Sequence, residues 1–114
     1  MKTEKLKKLT DGLSVESAAW VKNVLRIWQL EEHHIKLLQL AAQHWDRAQA
    51  ARRLIEKDGA VFLDRFLQPK PRPEVAIERD SSVVFARLLR ELALDVEQPK
   101  ETLRPANFVG RGKK

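Results

Sequence analysis

Three histidines, His33, His34 and His44, are the whole supply of imidazole in the chain. His33 and His34 are sequence neighbours, and neighbours on a helix point to different sides of it. There is no His-x-x-x-His pair and no cysteine, so a zinc-type centre lacks its usual ligand pattern and no metal is expected. A serine nucleophile needs a sharp strand-to-helix elbow such as Gly-x-Ser-x-Gly and a partner base. Ser14, Ser17, Ser81 and Ser82 instead have the setting of helix caps and helix surface. Gly-x-x-x-x-Gly-Lys and Gly-x-Gly-x-x-Gly, whose backbone amides would cradle phosphates, do not occur. Glu78 and Asp80 are two apart on an expected helix and cannot face each other. They are expected to pair with Arg79, Arg87 or a neighbouring subunit. The residues that could do chemistry therefore form no catalytic constellation, and the expectation is a non-enzyme without a cofactor.

Trp20, Trp28 and Trp45 could stack on bases, but they stand among aliphatic residues at helical spacing, which favours packing. Arg47, Arg52, Arg53 and Lys57 form a basic stretch with Asp46 and Glu56 as local partners. It reads equally as a solvated helix face and as a phosphate-binding surface.

The elements that must position these residues are helices. A chain of 114 residues, 33% charged and with only four glycines, favours one all-α domain. Thr10-Asp11-Gly12 reads as a turn and Ser14 as an N-cap. The first helix is expected from Val15 to Leu30, with Val21, Val24, Leu25 and Trp28 as its stripe and Trp20 and Ile27 widening it. Glu31-Glu32 suits the first turn of a second helix, which Asp58-Gly59 closes. Its inward positions read Ile35, Leu38, Ala41 or Ala42, Trp45, Ala48, Arg52 and Ile55, and it runs about 26 residues, roughly 39 Å. Val61-Phe62-Leu63 is β-prone, and Gln68-Pro69-Lys70-Pro71-Arg72-Pro73 cannot be helical, so an extended or hairpin insert is expected around 60–72. A third helix runs from about Glu74 to Leu94, with Ile77, Ser81, Val84, Phe85, Leu88 and Leu92 on one face. The domain layout is thus a basic flexible arm over 1–12, a helical body over 13–95, and a basic disordered tail over 96–114.

The net charge of +6 resides in the ends. Lys2, Lys5, Lys7 and Lys8 stand against Glu4 alone, and Lys100, Arg104, Arg111, Lys113 and Lys114 against Glu101, while the middle is nearly neutral. Such arms attract polyanions by counterion release without a shaped site, although tails that merely solubilise would look the same. No apolar run is long enough to span a bilayer, and the lysine-rich start lacks the apolar stretch of a signal peptide. A soluble, intracellular protein is expected.

Four ordered segments carry a further signal: Trp45-Asp46-Arg47-Ala48-Gln49-Ala50-Ala51-Arg52-Arg53-Leu54-Ile55, Asp64-Arg65-Phe66-Leu67-Gln68-Pro69-Lys70-Pro71-Arg72-Pro73, Ile77-Glu78-Arg79-Asp80, and Phe85-Ala86-Arg87-Leu88-Leu89-Arg90-Glu91-Leu92-Ala93-Leu94-Asp95. In order and spacing they resemble the terminase small subunits of tailed phages and prophages, in the group often encoded near a phage HNH endonuclease. The likeness runs from Leu13 to Pro105. It implies a helical protomer that assembles into a homo-oligomeric ring in the host bacterial cytoplasm, binds the packaging initiation site on double-stranded phage DNA, and delivers it to the terminase large subunit, which carries the ATPase and nuclease. Leu67 and Ala93 depart from the pattern by standing where it has Gly. The first is expected to alter the turn before Gln68-Pro69 and the second to extend the third helix.

The expected DNA contacts are Lys2, Lys5, Lys7, Lys8, Lys22 and Arg26, followed by Arg111, Lys113 and Lys114. More apolar helix surface is present than three helices can hide in one protomer, so self-association is expected, with Trp28, Ile35, Leu38, Trp45, Arg79 and Arg87 at the interface. A helix-turn-helix is not legible, because the first helix is apolar nearly all round and the turn before the second lacks Gly. The alternatives are a dimeric helical DNA-binding transcriptional regulator and a helical interaction protein with solubilising tails.

Overall fold

The computed structural model describes residues 3–94. Four helices and one small hairpin follow in order: α1 Thr3–Thr10, α2 Val15–Ile27, α3 Glu32–Asp58, β1 Val61–Leu63, β2 Pro69–Pro71 and α4 Pro73–Leu92. The helical body with a long central helix and a hairpin insert is as expected. Among the described residues no helix is long and apolar enough to cross a membrane.

α1 is the element that the sequence did not announce. The stretch expected as an arm is helical from Thr3 to Thr10, with Glu4 in the first turn and Lys7 and Lys8 in the last, where the helix dipole favours them. It contains no buried residue. Leu9 nonetheless packs against the core cluster, and Gln39 Nε2 donates to the Leu9 carbonyl at 3.1 Å, so the last turn is tied to α3.

Ser14 caps α2, its hydroxyl accepting from the Ser17 N–H at 3.1 Å. The helix stops three residues earlier than expected. Trp28 is its extended C-cap, donating its N–H to the Val24 carbonyl, and Ile27 is exposed. α3 ends at Gly59. α4 starts with Pro73 at a position that needs no N–H, and ends on Ala93 in the left-handed region, whose N–H reaches the Leu89 and Arg90 carbonyls at 2.9 and 3.1 Å. Ala93 therefore keeps the conformation expected of a Gly and does not extend the helix.

α3 and α4 form an antiparallel helical pair, and α2 lies along the first half of α3. Val21 and Val24 of α2 meet Leu38 and Ala42 of α3 and Leu92 of α4 in one buried cluster. Ala41, Ala48 and Ala51 of α3 and Ser81 and Leu88 of α4 are also buried. Small residues let the two backbones approach closely along this seam. Because α3 is flanked by two helices, Ala41 and Ala42 are both buried, whereas a single stripe would take one of them. The same geometry corrects three expectations. Leu38, placed at a subunit interface, is 0% exposed within the protomer and has no surface to offer a neighbour. Arg52, placed inward, is more than half exposed and reaches across to Glu78 at 3.8 Å and along its own helix to Glu56 at 3.3 Å. Ile77, placed inward, is exposed, and Glu78 takes the half-buried position beside it.

The hairpin pairs Val61 with Pro71, Phe62 with Lys70 and Leu63 with Pro69. Asp64 N–H donates to the Gln68 carbonyl at 3.1 Å and Arg72 N–H to the Ala60 carbonyl at 2.9 Å. Hydrogen-bonded pairs alternate along an antiparallel ladder, so both prolines occupy positions where no N–H is required. A segment that excludes helix is thereby fully compatible with a two-stranded ribbon.

Candidate nucleic-acid interface

The expected DNA-contact residues fall into two described groups. Lys5, Lys7 and Lys8 are exposed on α1, and Lys22 and Arg26 are exposed one turn apart on α2, with Arg26 donating to Asn23 Oδ1. Lys2, Arg111, Lys113 and Lys114, together with the tail expected over 96–114, lie outside the described residues. The α1–α2 turn is built around Gly12, whose φ of 83° suits a residue without a Cβ.

The position of α2 is fixed by one side chain of α3. Asp46 accepts from the Ser14 N–H at 2.8 Å, the Ser14 hydroxyl at 2.7 Å and the Ser17 hydroxyl at 2.6 Å. Burial alone would raise the Asp46 pKa. The bonds from Ser17 and Ser14, helped by the charge of Arg53, outweigh it and hold the carboxyl below its ordinary range. Asp46 thereby satisfies one open amide of the helix start, the Ser14 N–H, and two serine hydroxyls.

Further cations that the sequence did not single out for DNA lie on other elements. Lys36 is exposed on the outward stripe of α3 that also carries Arg47, Leu54 and Lys57. Arg65 and Lys70 are exposed on the hairpin insert, and Arg65 lies over the Phe66 ring at 5.2 Å. Arg87 and Arg90 are exposed on α4. Spacing on helices could have added Lys36 to the basic stretch already read at Arg47 and Lys57, because residues at steps of three and four share a face.

The histidines differ from expectation in one respect. His33 and His34 do not diverge: their rings are 4.1 Å apart, and with the Glu31 carboxylate their donor atoms lie within 4.8 Å of one another. The signal was the Glu31-x-x-His34 spacing, which brings one turn of helix onto a single side. The cluster is largely exposed and sits at the positive end of α3, which disfavours a cation. Burial, then His33, lowers the His34 pKa against the opposing pull of Glu31. Burial, then Arg47, lowers that of His44.

Of the residues expected at a subunit interface other than Leu38, Trp28 and Ile35 are half-buried and Arg87 is exposed. Arg79 is exposed and pairs with its neighbour Asp80 at 3.2 Å. Trp45 is half-buried in an aromatic cluster, 5.2 Å from Phe85, which is 5.9 Å from Trp20. Trp45 Nε1 donates to Glu16 at 3.4 Å. Trp20 of α2, Trp45 of α3 and Phe85 of α4 thus pack together, and Trp28 packs against the buried core cluster, in keeping with the packing role expected of the tryptophans. Comparison with protein families, with curated proteins and with solved structures returns no match.

Proposed function

We propose that this chain is the small subunit of a phage terminase, a non-catalytic DNA-recognition protein. As a homo-oligomeric ring in the host bacterial cytoplasm it binds the packaging initiation site on double-stranded phage DNA and hands it to the terminase large subunit, which it regulates. The observation that carries the DNA-binding part is the placement of Lys5, Lys8, Lys22 and Arg26 on the outside of α1 and α2, next to a nearly neutral body, with Lys7 on another side of α1. Phosphates attract such cations at long range. A ring would present many copies to one duplex, so that weak contacts add through avidity. The packaging role rests on the four sequence segments that resemble terminase small subunits.

The test is the mass of the purified protein by light scattering coupled to size exclusion, followed by titration with a duplex. A mass well above a tetramer and salt-sensitive DNA binding are expected. A clean dimer that binds a palindromic site would replace this reading with a transcriptional regulator, and salt-independent failure to bind DNA would leave an interaction protein.

A further inference from the structure

After Val15, the most exposed large apolar side chains among the described residues are Val61, Leu63, Phe66 and Leu67, all in the hairpin insert. Phe66 is 70% exposed and Leu67 76%. Their display is not a consequence of a loose loop. Asp64 Oδ1 accepts from the Phe66 N–H at 2.8 Å and the Gln68 N–H at 3.0 Å, and the Leu67 N–H reaches the Asp64 carbonyl at 2.9 Å. Leu67 is held at φ 63°, a region that a branched residue adopts only under constraint. A rigid turn thus holds a phenyl ring and a leucine in water, which is unfavourable unless another surface covers them.

A complementary surface exists on the same chain. Where α2 begins against α3 and α4, Trp20, Trp45 and Phe85 line an open apolar groove of about 210 Å³, with Ser17 at its base and Glu16 on its rim. The groove is large enough for an aromatic ring, and Glu16 is the acidic counterpart of Arg65, which lies over Phe66. The hairpin does not reach its own groove: Trp45 is 13 residues before the end of α3, about 20 Å along the helix.

We infer that Phe66 of one copy enters the Trp20–Trp45–Phe85 groove of a second copy, with Arg65 meeting Glu16 at the rim. Tip and groove are different surfaces, so copies joined head to tail leave one free tip and one free groove at the ends of the row. Repetition closes into a ring or continues as a filament, according to the rotation between copies. The inference rests on the proposed self-association and names the contact that produces it.

The experiment is light scattering of wild-type protein, Phe66→Asp, Arg65→Glu and Glu16→Arg, alone and mixed, with circular dichroism to verify helix content. Phe66 and Arg65 are exposed, so their replacement leaves the fold intact. The wild type is expected to assemble. Phe66→Asp raises the concentration needed for assembly roughly 30-fold or more, as loss of an aromatic anchor does. Arg65→Glu and Glu16→Arg each weaken assembly, and mixing the two restores it, because each tip then finds a groove of opposite charge. If wild type and Phe66→Asp assemble alike, this contact is wrong while self-association stands. If the wild type is a monomer throughout, both fall.

Discussion

The carboxylate of Asp46, in the middle of α3, receives the backbone N–H and the hydroxyl of Ser14, 32 residues earlier, at 2.8 and 2.7 Å. Ser14 is at the same time the N-cap of α2, so one residue closes the start of a helix and fastens that helix to its neighbour. The bonds to an ionised acceptor are the stronger kind, and removing the acceptor strands the hydroxyls and the amide together. Asp46→Ala is expected to destabilise the protein by about 1–3 kcal/mol and Ser14→Ala by about 0.5–2 kcal/mol. Chemical denaturation of both and of the double variant checks this. Since the two residues share bonds, additive losses would show that the contact carries little energy.

The same carboxylate gives the protein an acid-sensitive element. The Asp46 pKa is lowered in the folded state, so the unfolded chain binds the proton first. Its stabilisation is complete above the unfolded value of about 3.9 and is lost as pH falls through the lower folded value. His34 and His44, lowered chiefly by burial, act at a higher pH. Below about 6.5 the unfolded chain protonates them more readily than the folded one, so stability declines as pH falls from there. Melting temperature followed from pH 8 to pH 3 is expected to show both declines. His44→Gln should flatten the upper one, and Asp46→Asn the lower one.

The long helices were legible because their punctuation is local. Ser14, the Asp58-Gly59 stop and Pro73 each act on the backbone beside them, and the apolar spacing of α2 and α4 points to a face. What remained hidden depends on contacts far along the chain. α1 is short and lysine-rich, and it is tied to the body through Leu9 and the Gln39 side chain. Asp46 looked like a local partner of neighbouring arginines because its serine partners belong to another helix. Leu38 looked like interface because a stripe on one helix does not tell whether its cover comes from the same chain.

Among the described residues, Leu67 and Ala93 are the two non-glycine residues with positive φ, at 63° and 56°. They are also the positions at which the proposed family would place Gly, and the backbone is in the left-handed region at both. A side chain there costs about 1–2 kcal/mol, partly offset by the greater freedom of Gly in the unfolded chain, about 0.4–1 kcal/mol. Ala93→Gly is expected to raise stability by about 0.5–1 kcal/mol, measured as a higher denaturation midpoint at unchanged slope. Loss of stability would mean that the Ala93 side chain makes contacts that outweigh the strain.

Leu38 separates core from interface. It is fully buried against α2 and α4, so Leu38→Ala leaves a cavity and is expected to cost about 2–5 kcal/mol in every copy. The loss should be the same in dilute and concentrated protein. A stability that recovers with concentration would mean that neighbouring copies cover Leu38 after all.

The proposed DNA binding is the property in which the placement of single lysines can be read. Each phosphate neutralised contributes about 0.9 to the slope of log affinity against log salt. Lys5 and Lys8 are three apart on α1 and share a side, whereas Lys7 lies nearly opposite Lys5 on the helix. A duplex lying along one side of α1 meets the first two and misses the third. Lys5→Gln with Lys8→Gln should therefore reduce the salt slope by about 2 for each bound copy, and Lys7→Gln alone should leave it unchanged. Fluorescence anisotropy with a labelled duplex over a salt series distinguishes the two. If all three lysines reduce the slope equally, α1 does not hold its helical form on DNA, and the segment acts as the basic arm that its composition suggests.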